Sequence, residues 1–227
     1  MFSQSKLVLC TIAVLLISAN ASAAALSAGT WRAAIDQSAA SLKAGSYANS
    51  LKIVDRVLSN MVDRLGAGGA DDETLATVLV HKALASAGLG KIDDALWYWS
   101  IAQEISPAVA KSDLSAFGAA GDFLKTHPLS NTDVNPGGRY TPARILTQPA
   151  PKFPAGASRF GIAGDLIVQI VIDKNGQPTL PRIVHSLPAP TLSFVALEAL
   201  KHWRFEPARR NGEPVPITFN LTVHYKL

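Results

Sequence analysis

The side chains able to do nucleophilic, proton-transfer or metal chemistry are few and scattered. Five histidines, His81, His127, His185, His202 and His224, spread along the 227 residues. None stands at a short metal-ligand spacing, and no HExxH, GxSxG or paired-acid motif occurs. The only cysteine, Cys10, sits in an apolar run near the start. The glycine-rich stretch 66–70 has no strand before it and no Lys-Ser/Thr after it, so it is not a phosphate cradle. The chain is therefore not read as an enzyme, and no catalytic residue, metal or cofactor is expected. A small enzyme whose triad assembles only in space is the least favoured alternative. What remains is the chemistry of backbone N–H and C=O groups, which recognise partners at the edges of β-sheets.

The elements that could present such an edge lie in the last third of the chain. Leu166 to Ile172 is β-branched and aliphatic except for Gln169, which predicts a buried strand. Asp173-Lys174-Asn175-Gly176 predicts a hairpin turn, with Gly176 supplying the positive φ. Arg182 to Ser186 reads as a second strand. Pro188 and Pro190 punctuate the chain, and Thr191 is the expected N-cap of a helix. That helix carries Leu192, Val195, Ala196, Ala199, Leu200 and Trp203 on one face. In the final segment Ile217, Phe219, Leu221, Val223 and Tyr225 alternate with Thr218, Asn220, Thr222 and His224, the pattern of a strand with one face on a core. Three strands and one helix form a two-layer α+β unit. A three-stranded antiparallel sheet cannot close, so it keeps exposed edges that are either protected or used to add a partner's strand. Pro214 and Pro216 ahead of the last strand suit an edge position.

The boundary words of this region occur in a specific order: Phe153-Pro154, Gly161 and Gly164, Gly176, then Trp203-Arg204-Phe205-Glu206-Pro207-Ala208, then Asn211-Gly212. Singly they are weak; their order and spacing resemble the C-terminal domain of TonB-family proteins over 143–227. In that family the domain binds a short extended segment of an outer-membrane receptor by pairing with it at a strand edge. The resemblance implies a matching edge at Ile217, Thr218, Phe219, Asn220, Leu221, Thr222 and Val223. It also implies a neighbouring contact segment at 148–152, represented by Gln148, Pro149 and Lys152. Phe153, Pro154, Gly164, Gly176, Trp203, Phe205, Pro207 and Gly212 are then structural motif residues. On the residues alone, Trp203 and Phe205 are expected to pack the helix onto the sheet rather than to touch a partner.

The N-terminus bears on compartment. Lys6 precedes an apolar run at 7–18, and Ala21-Ser22-Ala23 fits the small-x-small cleavage rule. The expectation is a signal peptide over 1–23 and a periplasmic product. An uncleaved inner-membrane anchor is the alternative, and it would bring inner-membrane proton-channel subunits into reach as partners. Leu9 occupies the place where a lipoprotein signal needs a small residue before Cys10. The mature chain would carry no thiol or disulfide.

Residues 24–127 are rich in alanine, leucine and serine and lack strand alternation, which predicts a helical domain. Around Gly90, Ala95, Trp99 and Ala102 fall where a tetratricopeptide repeat places small, aromatic and small residues. Ala44 to Leu51 resembles a degraded copy of that turn. Trp97, Tyr98 and Trp99 are read as helix packing in preference to a peptide groove. Pro128, Pro136, Gly137, Gly138, Pro142, Pro149 and Pro151 mark 128–151 as an extended linker, and 152–227 is the TonB-like domain.

Charge divides the chain in the same place. Residues 24–142 carry 10 Lys/Arg and 12 Asp/Glu, and residues 143–227 carry 10 and 5. The positive charges are dispersed, which argues against nucleic acid and fits steering toward acidic protein segments. The fold class is therefore multidomain α and α+β. The expected function is binding of an envelope protein, such as a TonB-dependent outer-membrane receptor, by strand addition in transmembrane transport. An adaptor whose helical domain binds the main partner is the second reading.

Overall fold

The computed structural model describes residues 28–65, 70–127, 134, 137–151, 154–159 and 161–225. The signal-peptide and anchor expectations, Cys10, Lys152 and Phe153 lie outside these residues.

The first half is helical. Helices α1 (Ala28–Lys43), α2 (Tyr47–Asp63), α3 (Asp72–Gly88) and α4 (Ile92–Ile105) form two hairpins, followed by 3-10 turns at Pro107–Lys111 and Ser115–Phe117 and by α5 (Gly118–Thr126). In α2 the buried positions Val54, Val57, Leu58 and Met61 fall at helical spacing. Helix α3 is buried on nearly all sides and contacts α1, α2, α4 and α5. Its start is set by Asp71, whose carboxylate accepts the Thr74 N–H at 2.7 Å; that hydrogen bond lowers the Asp71 pKa.

The two hairpin turns repeat one construction. Gly45 and Gly90 both take a left-handed φ, +69° and +71°, and each donates its N–H to the carbonyl three residues back. The next residues, Ser46 and Lys91, each donate to the carbonyl five back, which closes the helix end. These turns stand 45 residues apart, whereas a tetratricopeptide unit repeats at about 34. The helical domain is therefore present, but its tetratricopeptide character is not confirmed.

In the second half, β2 (Gly164–Ile172), β3 (Pro178–His185) and β7 (Ile217–Tyr225) form an antiparallel sheet in the order β3-β2-β7. Helix α7 (Pro190–Leu200) is buried along Leu192, Phe194, Ala196, Leu197 and Leu200. It starts with Pro190 in its first turn, after Ala189. Thr191 lies buried inside it and is not the cap, because proline's fixed φ makes it the preferred first helical residue. Short elements absent from the sequence reading complete the domain. They are β1 (Arg144–Thr147), α6 (Ala155–Arg159), β4 (Arg204–Glu206), β5 (Ala208–Arg210) and β6 (Glu213–Val215). Strand β1 pairs with β4, and β5 with β6.

Two turns set the registers. In the β2–β3 turn Asp173 Oδ1 accepts the N–H groups of Asn175 and Gln177, each at 2.8 Å. Gly176 has φ +75°, and a Cβ there would collide with the Phe205 carbonyl, while its own carbonyl accepts the Phe205 N–H. Asn211 and Gly212 have φ +53° and +85°, the two left-handed residues of a tight hairpin between β5 and β6.

The stretch 128–151, expected to be an extended linker, contributes β1, and Thr141 exchanges both backbone hydrogen bonds with Arg209. The described part of it is therefore paired into the C-terminal half. Pro142, Pro149 and Pro151 fall outside the paired residues, so they cost no ladder donor.

The halves are joined by polar contacts around Tyr98 of α4. Lys82 Nζ and Lys201 Nζ lie 4.3 and 4.5 Å from the centroid of its ring. The Tyr98 hydroxyl donates to Glu198 Oε2 at 3.3 Å and accepts from Lys201 at 3.2 Å. Lys82 pairs with Asp55 and Lys201 with Asp94. Burial, with the Glu198 and Asp94 carboxylates beside it, raises the Tyr98 pKa far above its usual range, so the hydroxyl stays a donor.

Two predictions come from this packing. Tyr98→Phe leaves the Glu198 carboxylate without its donor and is expected to cost about 1–2 kcal/mol in denaturant unfolding of the whole chain. Full wild-type stability in that variant would show that the hydroxyl plays no part in the joint. The second concerns His81, which is buried with its Nδ1 3.1 Å from Ser38 Oγ. Desolvation pushes its pKa down to about 4. The folded state thus binds its proton less readily than the unfolded chain, whose histidine titrates near ~6.5. Stability is fully present above that unfolded value and falls as pH drops toward 4, by at most about 3 kcal/mol. His81→Gln should flatten the stability profile over that interval, and an unchanged slope would assign the acid sensitivity elsewhere.

Candidate strand-addition edge

The sheet β3-β2-β7 has two outer strands, and they differ in what covers them. On β3, Ile183 N–H donates to Glu104 Oε2 at 2.9 Å, and the Pro181 carbonyl accepts from Ser100 Oγ at 2.9 Å. Both side chains come from α4, so the helical domain covers that edge at Pro181 and Ile183. Desolvation raises the Glu104 pKa, opposed by the hydrogen bond from Ile183 and the positive charge of Arg182. Strand β3 also carries a bulge opposite Ile170, where Leu180 takes φ +47°.

Strand β7 pairs with β2 from Gly164↔Tyr225 to Ile172↔Ile217 without a break in register. Thr218 donates its N–H away from β2, to the Val134 carbonyl at 2.8 Å. In an antiparallel strand the N–H and C=O of one residue point the same way and alternate along the chain. Asn220, Thr222 and His224 therefore turn their backbone groups to the same open side as Thr218. Ile217, Phe219, Leu221, Val223 and Tyr225 turn theirs to β2.

The side chains follow the same parity. Ile217, Leu221, Val223 and Tyr225 are buried and Phe219 is half-buried, whereas Asn220, Thr222 and His224 are exposed. His224 Nδ1 lies 2.6 Å from Asp165 Oδ1 in an exposed cross-strand pair. Thr218 is half-buried because Val134 sits on it: the Val134 N–H donates to Thr218 Oγ1 at 2.8 Å. This contact, and the seal by Glu104 and Ser100, had no local signal in the sequence.

The remaining residues singled out from sequence are placed as follows. Trp203 and Phe205 are buried in the core, and Phe205 meets Phe219 of β7 at a ring-centroid distance of 5.6 Å. Pro154 is buried, Pro207 half-buried and Gly212 exposed. Gly164 opens β2 at φ +151°. Gln148 and Pro149 follow β1 and are exposed; the Pro149 carbonyl accepts the Trp203 indole N–H at 3.1 Å. Pro149 thus lies against α7 and lines a cleft there instead of extending β7.

Two clefts flank the Tyr98 joint. One of about 630 Å³ lies between α2 and α7 and is lined by Leu58, Val62, Pro149, Phe194 and Glu198. The other, of about 950 Å³, lies between the start of α4 and the β2–β3 turn, against Trp97, Leu180, Lys201 and Arg204. Trp97 Nε1 and Glu198 Oε1 are buried without a hydrogen-bond partner. Among the described residues no group of three or more His, Cys, Asp or Glu is placed to hold a metal ion, and no helix is long and apolar enough to cross a membrane.

Comparison with known proteins falls on the same half. The solution NMR structure of the Pseudomonas aeruginosa TonB CTD aligns with 37% of this chain and 86% of its own, at 25% identity and a TM-score of 0.34. "Protein TonB" of Vibrio cholerae serotype O1 is 31% identical over 86 residues, which are 38% of this chain and 35% of that protein. "Protein tonB2" of Pseudomonas aeruginosa is 33% identical over 85 residues, 35% of this chain and 32% of the relative. The match thus spans about a third of the length of these curated relatives. The family profile described as "Gram-negative bacterial TonB protein C-terminal" matches residues 149–227. Residues 149–227 of this chain thus match the TonB C-terminal family.

Proposed function

We propose that this protein engages an envelope protein, an outer-membrane receptor in a transport system, by adding an extended segment of that partner to β7. The observation that carries the reading is the asymmetry of the sheet. The β3 edge is covered by α4 at Pro181 and Ile183, while on β7, among the described residues, the outward N–H and C=O groups of Asn220, Thr222 and His224 meet no other strand. Backbone pairing there would supply affinity with little demand on side-chain identity. The named edge is Ile217 to Val223, with Asn220 and Thr222 pairing outward, Thr218 facing the same side but bonded to Val134, and Phe219 and Leu221 holding the strand on the core. Gln148, Pro149 and Lys152 are the secondary contact segment that the family resemblance implies. No catalytic role is proposed.

The same reading has the chain exported, cleaved after Ala23 and periplasmic. The division is a helical domain at 24–127, a linker at 128–151 and the binding domain at 152–227. An anchored form working with inner-membrane proton-channel subunits is the alternative. N-terminal sequencing of protein from a membrane fraction separates the two, since an intact Met1 there means an anchor.

A second reading, an adaptor that takes its partner between the two halves, is favoured by the unpartnered Trp97 Nε1 and Glu198 Oε1 beside the interdomain clefts.

The test is an NMR titration of the full chain with synthetic peptides covering the periplasm-facing segments of the host's outer-membrane receptors. Strand addition predicts protection of the Asn220, Thr222 and His224 amides from exchange. Perturbation of the Trp97 indole with unprotected β7 amides would favour the adaptor and overturn strand addition at this edge.

Proline substitutions give an independent check. Asn220→Pro removes an outward donor, so the protein should stay folded and lose at least about tenfold in affinity, the equivalent of 1.4 kcal/mol. Leu221→Pro removes a donor paired to β2 and should destabilise the fold by about 3 kcal/mol or more. Thr222→Ala should change binding by less than about 0.5 kcal/mol. If folded Asn220→Pro binds as tightly as wild type, the edge is not the site.

A further inference from the structure

The open side of β7 is not bare along its whole length. Its first outward residue, Thr218, is held by Val134, 84 residues earlier in the chain. The Val134 carbonyl accepts the Thr218 N–H, and the Val134 N–H donates to Thr218 Oγ1, both at 2.8 Å. A single residue thus uses both of its backbone groups on one strand position.

The chain then leaves the edge. Gly137 and Gly138 both take left-handed φ, +63° and +62°, and Thr141 is next tied to Arg209 by two reciprocal backbone bonds of 2.8 and 3.0 Å. Two successive left-handed residues redirect the backbone sharply, and glycine adopts that conformation at no steric cost. Val134 is therefore tethered on its C-terminal side to strand β5, whose ribbon leads into β7. Among the described residues, it is Val134 that closes an outward position of β7.

We propose that Val134 is a built-in guard of the binding edge. It shortens the strand that other chains can reach, and so opposes pairing of β7 with the β7 of a second copy. Unpaired strand edges are templates for such association, and native proteins blunt them with short or covered edges. The inference deepens the strand-addition reading and rests on β7 being the open edge. A receptor segment pairing at Asn220, Thr222 and His224 would leave the guard in place. One extending past Thr218 would have to displace it.

The guard is tested without any partner. Amide hydrogen exchange is followed by NMR on the full wild-type chain and on Val134→Pro, which removes the donor to Thr218 Oγ1. Thr218→Val removes the acceptor with little change in shape, and serves if the proline variant does not fold. In the wild type the Thr218 amide should exchange at least about tenfold more slowly than those of Asn220 and Thr222. Each substitution should accelerate Thr218 by roughly threefold to tenfold, the worth of one net hydrogen bond, with Phe219 and Leu221 unchanged.

Sedimentation equilibrium on the same samples should show more self-association in the variants than in the wild type. A wild-type Thr218 amide as fast as Asn220 overturns the contact. A variant with Thr218 exposed and self-association unchanged overturns the guarding role. Failure of every receptor peptide to protect Asn220 and Thr222 would instead count against strand addition alone, and would leave the Thr218 result standing.

Discussion

A three-stranded antiparallel sheet has two sides it cannot satisfy from within, and most of this structure answers that constraint. The sheet is too small to close, and every backbone group on an outer strand needs water, a side chain or another strand. The chain treats its two outer strands differently. Against β3 it places a helix from another part of the molecule, with a carboxylate for a backbone donor and a hydroxyl for a backbone carbonyl. Against β7, among the described residues, it places Val134. The helical half is thus part of the sheet's edge chemistry, and its docking decides which strand remains available.

The joint around Tyr98 is polar, although the buried apolar residues of the two halves belong to one core. A tyrosine ring between two ammonium groups, with carboxylates outside them, satisfies each charge locally. Cation–π contacts are worth about 0.5–2 kcal/mol depending on desolvation. Partly exposed ion pairs such as Lys201–Asp94 add about 1 kcal/mol or less. Opposite charge balances in the two halves, visible in composition alone, agree in sign with this arrangement.

What could be read from the sequence was local. The alternation at 217–225, the Asp173–Gly176 and Asn211-Gly212 turns, and the apolar face of the helix before Trp203 each depend on neighbours within a few residues. The structure repeats them with boundaries shifted by a few positions. What could not be read depends on distant neighbours. Strand β1 exists because Arg144 and Ile145 meet Glu206 and Phe205. The seal on β3 needs Glu104, an unremarkable helix residue, to meet Ile183. Val134 sits among polar and turn residues and carries no strand signal. The tetratricopeptide resemblance is not confirmed for a different reason: the turn chemistry around Gly45 and Gly90 repeats, but 45 residues apart where about 34 are expected.

The register of β2 with β7 has a consequence in time. Strand β2 is central, yet its second partner is the last strand of the chain, beginning 45 residues after β2 ends. Synthesis delivers the N-terminal end first. Until the final strand arrives, one side of the nine-residue β2 keeps its backbone groups unpaired, since hairpin formation with β3 covers only the other side. Closing that gap brings together residues far apart in sequence, which is slow compared with forming local helices. The helical half can be complete while the sheet still waits. For an interval during its birth, the inner strand of this domain is itself an open edge, and the arrival of β7 moves that openness to the outside of the molecule.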